Sequence, residues 1–233
     1  MEIMKGIKIV DLGLKIGKIL IFADFHIGYE EALNKQGIFM PMFQFGDTIK
    51  RIIPILEKVK PEIIIINGDL KHEFGIISDT EWKQTLKLLE LFQNHSKNVV
   101  LIKGNHDKIL EPIAKKKGLE ITDHYIVKDC YICHGDAIPK KVEQKTIIIG
   151  HEHPAITLRT EIRAERFKCF LLGRYKQKNL IVQPSFNLVT EGTDVLRERL
   201  LSPFLKQDLD NFMAFIVGDK VFDFGKLKKL RNL

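Results

Sequence analysis

Three cysteines in 233 residues make no disulfide framework, and this count suits a reducing compartment. No apolar run approaches the roughly 18–20 residues that a membrane-spanning helix needs; the longest, Ile63 to Ile66 and Ile147 to Ile149, are strand-sized. The segment Met1 to Val10 carries Glu2 and Lys5 and no small-residue cleavage pattern, so a cytoplasmic protein is expected. The chain has no solenoid repeat, no low-complexity stretch and no composition typical of disorder, being 45% hydrophobic and 29% charged. Acidic residues are outnumbered. The net charge is +7, which fits either simple solubility or attraction to a polyanion. The densest basic clusters are Lys115-Lys116-Lys117, Lys140-Lys141 and the tail Lys226, Lys228, Lys229 and Arg231, and none alternates with aromatics.

Short β-branched runs read as buried strands over Lys18–Ala23, Glu62–Ile66, Asn98–Lys103, Asp129–Cys133 and Lys145–Ile149. Between them, helical spacing groups Phe45, Ile49, Ile52, Ile53 and Leu56 over Gln44–Glu57, despite Pro54. Ser78 to Glu81 has capping-box spacing ahead of a helix carrying Trp82, Leu86, Leu89 and Phe92. Another helix is expected over Ile109–Lys117. Beyond His153 the pattern is strand-rich, over Phe167–Leu172, Leu180–Val182 and Phe212–Val217, and the tail from Lys226 reads as mobile or as a terminal helix turn. The expectation is an α/β fold, a single 1–233 domain with mixed sheets inside and helices outside.

The informative regularity is positional. Five of these strands each end in a polar cluster: Asp24-Phe25-His26, Gly68-Asp69, Gly104-Asn105-His106-Asp107, His134-Gly135-Asp136 and Gly150-His151-Glu152-His153. Loops at one edge of an α/β sheet converge into ligand sites. Imidazole, carboxylate and amide are cation ligands. Any one cluster is commonly a solvated turn. Five together would crowd Asp24, His26, Asp69, His134, His151 and His153 at high cost without a cation to pair them.

The order D-x-H, G-D-x-x-[DH], G-N-H-[DE], H-G and G-H-x-H resembles the signature of calcineurin-like metallophosphoesterases, across Asp24 to His153. The resemblance implies a four-layer α/β/β/α sandwich, completed by residues 154–233. It implies two divalent cations, with Asp24, His26 and His153 holding one, Asn105, His134 and His151 the other, and Asp69 bridging both. It makes His106 the general acid or a phosphate donor and Asp107 its orienting partner. His72 stands where many relatives carry an acid; substrate contact or support of its neighbours is implied, against a solvated histidine at a helix start. Two cations bring +4 and the two aspartates return −2, which suits a phosphate and its transition state, with a metal-bridging hydroxide as nucleophile. Oxygen and nitrogen ligation without thiolate points to Mn²⁺ first, by family analogy, with Fe²⁺, Zn²⁺, Ni²⁺ or Mg²⁺ as alternatives.

The family holds phosphatases, cyclic nucleotide diesterases, pyrophosphatases and nucleases. Basic charge, His72 and the stretch Leu180–Gly192 lean toward nucleotides or nucleic acid. They also make the chain look similar to a compact bacterial and archaeal branch near the SbcCD/Mre11-type nuclease subunit and the DNA-ligase-associated phosphoesterases. About 80 residues after His153 leave little room for the added domains of the large repair nucleases. Arg159, Arg163, Arg166 and Arg174 are candidates for phosphate contact or plain surface charge. A phosphodiesterase is the first reading, a phosphomonoesterase the second, and a silent scaffold on the same fold the third. Cys130-Tyr131-Ile132-Cys133-His134 spells the haem c attachment pattern, but in a strand two cysteines three apart face opposite sides, so both read as buried apolar residues.

Overall fold

The structure is a computed structural model, and it describes residues 1–72, 78–107, 110–159 and 163–231. The chain runs β1 (Glu2–Met4), β2 (Ile7–Val10), β3 (Gly13–Ile16), β4 (Ile19–Ala23), α1 (Tyr29–Lys35), α2 (Gln44–Val59), β5 (Ile63–Asn67), α3 (Asp79–His95), β6 (Asn98–Ile102), α4 (Glu111–Lys117) and β7 (Glu120–Thr122). It continues with β8 (His124–Val127), β9 (Cys130–Cys133), β10 (Thr146–Ile149), β11 (Pro154–Arg159), β12 (Ala164–Tyr175), β13 (Lys178–Val182), β14 (Thr193–Asp194), β15 (Met213–Val217), β16 (Val221–Lys226) and α5 (Leu227–Leu230).

Two mixed sheets result. The first has order β1-β2-β3-β4-β5-β6-β7; its first four strands are antiparallel neighbours, and β4 to β7 are parallel. The second has order β14-β11-β12-β13-β10-β9-β8, with β15 and β16 added beside β12. β10 lies parallel to both β9 and β13. The parallel strands set the C-terminal ends of β4, β5, β6, β9 and β10 toward one edge, where all five polar clusters emerge.

Period-two alternation divides the core. In β9, Cys130 and Ile132 face the cluster between the sheets, while Tyr131 and Cys133 face the outer cluster. Ile148 and Ile181 face inward, and Ile147, Ile149, Leu180 and Val182 outward. The helices α2, α3 and α4 cover the first sheet. The outer cover of the second is thinner, a 3-10 turn at Pro203–Leu205 plus α5.

The observed α2 extends the expected Gln44–Glu57 helix to Val59, and its fully buried residues are Gln44, Thr48, Ile52, Ile55 and Leu56. Ile53 is only half-buried. Pro54 sits on the exposed side, where water can satisfy the carbonyl its missing N–H leaves free. Ser78 caps α3 by accepting the Glu81 amide at 3.0 Å. Glu81 does not show the reciprocal capping-box bond; it turns inward and accepts the His72 amide at 3.0 Å. The helix read from Ile109 is observed from Glu111, Ile109 lying outside the described residues. The sequence reading omitted the meander β1–β3, although Ile7, Ile9, Leu14 and Ile16 alternate in period two and are buried.

Candidate metal centre

Asp24 ends β4 and is completely buried. Its amide donates to the Gly68 carbonyl at 3.3 Å and its own carbonyl accepts the Asn187 amide at 3.1 Å, so both sheets hold it. Its Oδ2 accepts the His151 amide at 3.0 Å. Asp69, after β5, accepts the His106 amide on Oδ1 at 2.9 Å. Five of these site residues have left-handed backbones without being glycine: Asp24 (φ 54°), His26 (47°), Asp69 (41°), His151 (61°) and His153 (51°). That conformation is disfavoured for L residues and persists where surrounding bonds over-determine it, typically at functional sites. Two glycines admit the side chains: a Cβ on Gly68 would strike the His134 ring, and one on Gly104 would strike Asp69.

Ligand-type atoms converge in three groups among the described residues; His26, His72 and His106 form one, and the other two hold the aspartates. Asp24, His26 and His153 form the first of these two, and Asp69, His134 and His151 the second. His26 Nε2 lies 3.3 Å from His153 Nε2, which lies 3.7 Å from Asp24 Oδ1. His134 Nε2 lies 3.0 Å from Asn105 Oδ1 and 3.1 Å from His151 Nδ1. One atom faces both groups: Asp69 Oδ2 is 3.6 Å from His26 Nε2 and 3.4 Å from His134 Nε2.

This donor set fits divalent cations. A neutral imidazole has one N–H, so ring nitrogens crowded with carboxylate oxygens leave lone pairs facing each other. Among the described residues, Asp24 Oδ1 and His134 Nδ1 are buried with no hydrogen-bond partner, 3.4 Å apart. Such atoms are costly unless a cation joins them.

The electrostatics agree. Burial pulls the His134 imidazole down, but the carboxylates of Asp69 and Asp24 outweigh it and push it up to about 9. Burial alone would raise Asp69; hydrogen bonding and charge from His134, then the charge of His26, hold it well below the usual carboxylate range. Positive charge is therefore favoured between the two aspartates. Burial, and then His153, hold His26 well below its ordinary value, and burial with His134 lowers His151. Both keep free lone pairs at neutral pH, as ligation requires.

His72 and His106 border the first group. Their rings stack at 5.3 Å between centroids, and both stand edge-on to His26. His72 Nδ1 is 3.4 Å from His26 Nδ1, and Tyr29 packs edge-on to His72 at 4.5 Å. Burial and then His106 lower the His72 imidazole to about 4. His72 is thus half-buried against neighbouring rings. His106 Nδ1 faces the His72 carbonyl, leaving Nε2 4.0 Å from Asp69 Oδ2. Asp107 acts on the loop: its carboxylate accepts the amides of Gly104 (3.1 Å), Leu70 (3.4 Å) and Lys71 (3.4 Å), joining the turns after β5 and β6. Burial and the charge of Asp69 raise it to about 6.

Several supporting residues escaped the sequence reading. Lys71 is completely buried and donates to the His106 carbonyl at 2.7 Å. Glu30 is buried and accepts the Phe43 and Gln44 amides at 2.9 and 2.7 Å, satisfying the start of α2. Gln44 in turn reaches the Phe25 carbonyl at 3.4 Å, between two of the ligating residues. Glu152 is buried and accepts the Leu201 and Ser202 amides. Their only sequence signal is proximity to the motifs. Of the four arginines, Arg166 bonds the Gly192 carbonyl and Glu198, Arg174 the Gln177 carbonyl, and Arg163 pairs with Glu165. Cys130 and Cys133 are free and buried on opposite faces, and burial pushes their thiols up to about 11 and about 12.

A Pseudomonas putida protein described as nuclease MPE superposes with a TM-score of 0.64 at 20% identity, over 92% of this chain and 92% of that one. The Escherichia coli phosphoesterase Yfce gives 0.44 at 11% identity, over 90% of this chain and 97% of its own. A Vps29 mutant from Entamoeba histolytica gives 0.40 at 14%, over 89% and 99%. No curated protein matches. The Calcineurin-like phosphoesterase family matches residues 17–189, a span that holds every candidate ligand and both sheets' site-forming strand ends, and the chain belongs to that family of metal-dependent phosphoester hydrolases.

Proposed function

We propose that this chain hydrolyses phosphodiesters of nucleotides or nucleic acid with two divalent cations that share Asp69. The observation that carries the reading is Asp69 Oδ2, which lies 3.6 Å from His26 Nε2 and 3.4 Å from His134 Nε2. In this reading Asp24, His26 and His153 hold one cation, and Asn105, His134 and His151 hold the other. Bound there, the cations supply Lewis acidity and activate water at neutral pH. Oxygen and nitrogen donors without thiolate suit Mn²⁺, Fe²⁺ or Zn²⁺, and Mn²⁺ is the first candidate by analogy with the family.

The remaining roles belong to the chain itself. A carbonyl only accepts, so the His72 carbonyl fixes the proton of His106 on Nδ1. Proton exchange then falls to Nε2, which faces Asp69 and is placed to protonate the leaving oxygen. Asp107 holds the His106 loop against the Asp69 loop. The His72 ring packs against His26 and His106, and in this reading it contacts substrate. The test is Mn²⁺-dependent hydrolysis of bis-p-nitrophenyl phosphate. Asp69→Ala should abolish it, and His106→Ala should slow it by about 10²–10⁴-fold. Undiminished rates in both variants would refute the assignment. The monoester rate on the same preparation should be lower than the diester rate.

A further inference from the structure

Two adjoining cavities lead away from the metal centre. The first, of about 300 Å³, is lined by Gly104, His134 and Gly135 and continues to Ile138 and Pro139. The second, of about 640 Å³, begins at the same Ile138 and Pro139 and is lined by Lys140, Lys141, Lys145, Lys176 and Lys178 over a floor that includes Tyr175 and Phe204. Among the described residues, no carboxylate lines the second cavity. The acids near it make peripheral pairs with single lysines, Glu143 with Lys141 at 2.6 Å and Asp129 with Lys145 at 3.6 Å. Lys178 is tied to the Gln144 carbonyl at 2.7 Å, whereas Lys140, Lys141 and Lys176 are exposed. Acidic side chains, Asp123 and Asp136, stand at the metal end with Lys103. A larger cavity of about 770 Å³ beside α2 shares none of its described lining residues with the metal centre.

We infer that this groove is a track for the backbone of a polynucleotide whose scissile phosphate lies at the metal centre. The inference rests on the reading of that centre as a phosphodiesterase. Its geometry sets a length. Lys145 immediately precedes β10 and Ile149 ends it, four residues apart, so Lys145 stands roughly 13 Å or more from the ligands at about 3.3 Å per residue. At about 3.4 Å per nucleotide along a stacked strand, that is around four nucleotides. A mononucleotide or a nitrophenyl ester at the metals cannot reach the lysines, while a longer strand does. Exposed Ile138 sits at the saddle between the cavities as an apolar surface for a base. Basic side chains spaced along a groove bind phosphates without reading sequence, so the track favours chain length over base identity.

The test uses metal-loaded full-length protein and the variant Lys140→Ala/Lys141→Ala/Lys176→Ala. The substrates are bis-p-nitrophenyl phosphate, a dinucleotide and a single-stranded DNA of about 20 nucleotides, each over a range of salt. Wild type and variant should match on the first two. On the long strand, the variant KM should rise about tenfold or more, and the slope of log KM against log salt should fall by about 2, at roughly 0.7 per phosphate contact. Unchanged KM and salt slope on the long strand overturn the inference. So does a poly-glutamate peptide that competes as well as the strand. Failure of the metal-centre reading shows separately, as absent nitrophenyl ester hydrolysis in wild type. Equilibrium binding of the long strand by fluorescence anisotropy then still reports on the lysines.

Discussion

Gly104→Ala probes the closeness of the two loops on which the site depends. Gly104 has an ordinary backbone conformation, so alanine meets no conformational penalty there. The added methyl would strike the Asp69 carboxylate and backbone amide, which must retreat. Asp69 Oδ1 is bound to the His106 amide, and Gly104 donates to Asp107, so the retreat strains two turns that are tied together. Overpacking of this kind typically destabilises by about 1–3 kcal/mol. For a chain of this size that corresponds to a Tm lower by about 2–12 °C. The larger effect falls on activity. A displacement on the order of 1 Å in a positioning group can lower a rate about 10²-fold, and Asp69 is the proposed shared ligand. The assay is calorimetric or fluorescence Tm, together with kcat/KM on bis-p-nitrophenyl phosphate. Gly46→Ala is the control, because its methyl meets nothing within 4 Å and lies in α2; its Tm should be unchanged or a few degrees higher. Wild-type Tm and activity in Gly104→Ala would refute the reasoning.

Adding Mn²⁺ at about 100 times its Kd to chelator-treated protein should stabilise it by about 2.7 kcal/mol per site. Each filled site would raise Tm by about 5–11 °C, and two by about 11–22 °C, and Asp69→Asn should lose most of the rise. Lys168 donates to Ser185 at 2.7 Å; burial, and then the charge of Arg51, lower its ammonium from 10.5 to about 7. The folded chain therefore binds fewer protons than the unfolded chain between those pH values, and stability rises with pH across that window. Lys168→Met should flatten the rise in urea midpoint between about pH 7 and pH 10; an identical rise would assign it to other groups. The cysteines, buried and with thiols pushed upward, should resist a disulfide reagent in the native protein and react fully in denaturant. Rapid native labelling would contradict their burial.

What the sequence reveals here follows from periodicity and order. Strand ends are legible because β4, β5, β6, β9 and β10 are short apolar runs that stop at polar residues, and parallel pairing then brings those ends to one edge. The opposed faces of Cys130 and Cys133 follow from a period of two. The bridging role of Asp69 comes from the family resemblance and not from spacing; the turns that set Oδ2 between the groups, left-handed at Asp24, His26, Asp69, His151 and His153, are not advertised by non-glycine residues. Nor is the inward turn of Lys71, Glu81 and Glu152 legible, since charged residues beside a motif read as solvated until their hydrogen-bond partners are known. The lysine groove joins Lys140 and Lys141 to Lys176 and Lys178 from the other side of β10, a neighbourhood set by the pairing of β10 with β13.

The central claim is that Asp69 joins two cation sites, and metal stoichiometry tests it most directly. Protein loaded with Mn²⁺, freed of excess metal and analysed by mass spectrometry should carry two ions per chain. Asp69→Ala should lose both, while His106→Ala should keep both and lose activity. A single ion per wild-type chain, or an Asp69→Ala variant that still holds two, would contradict the account.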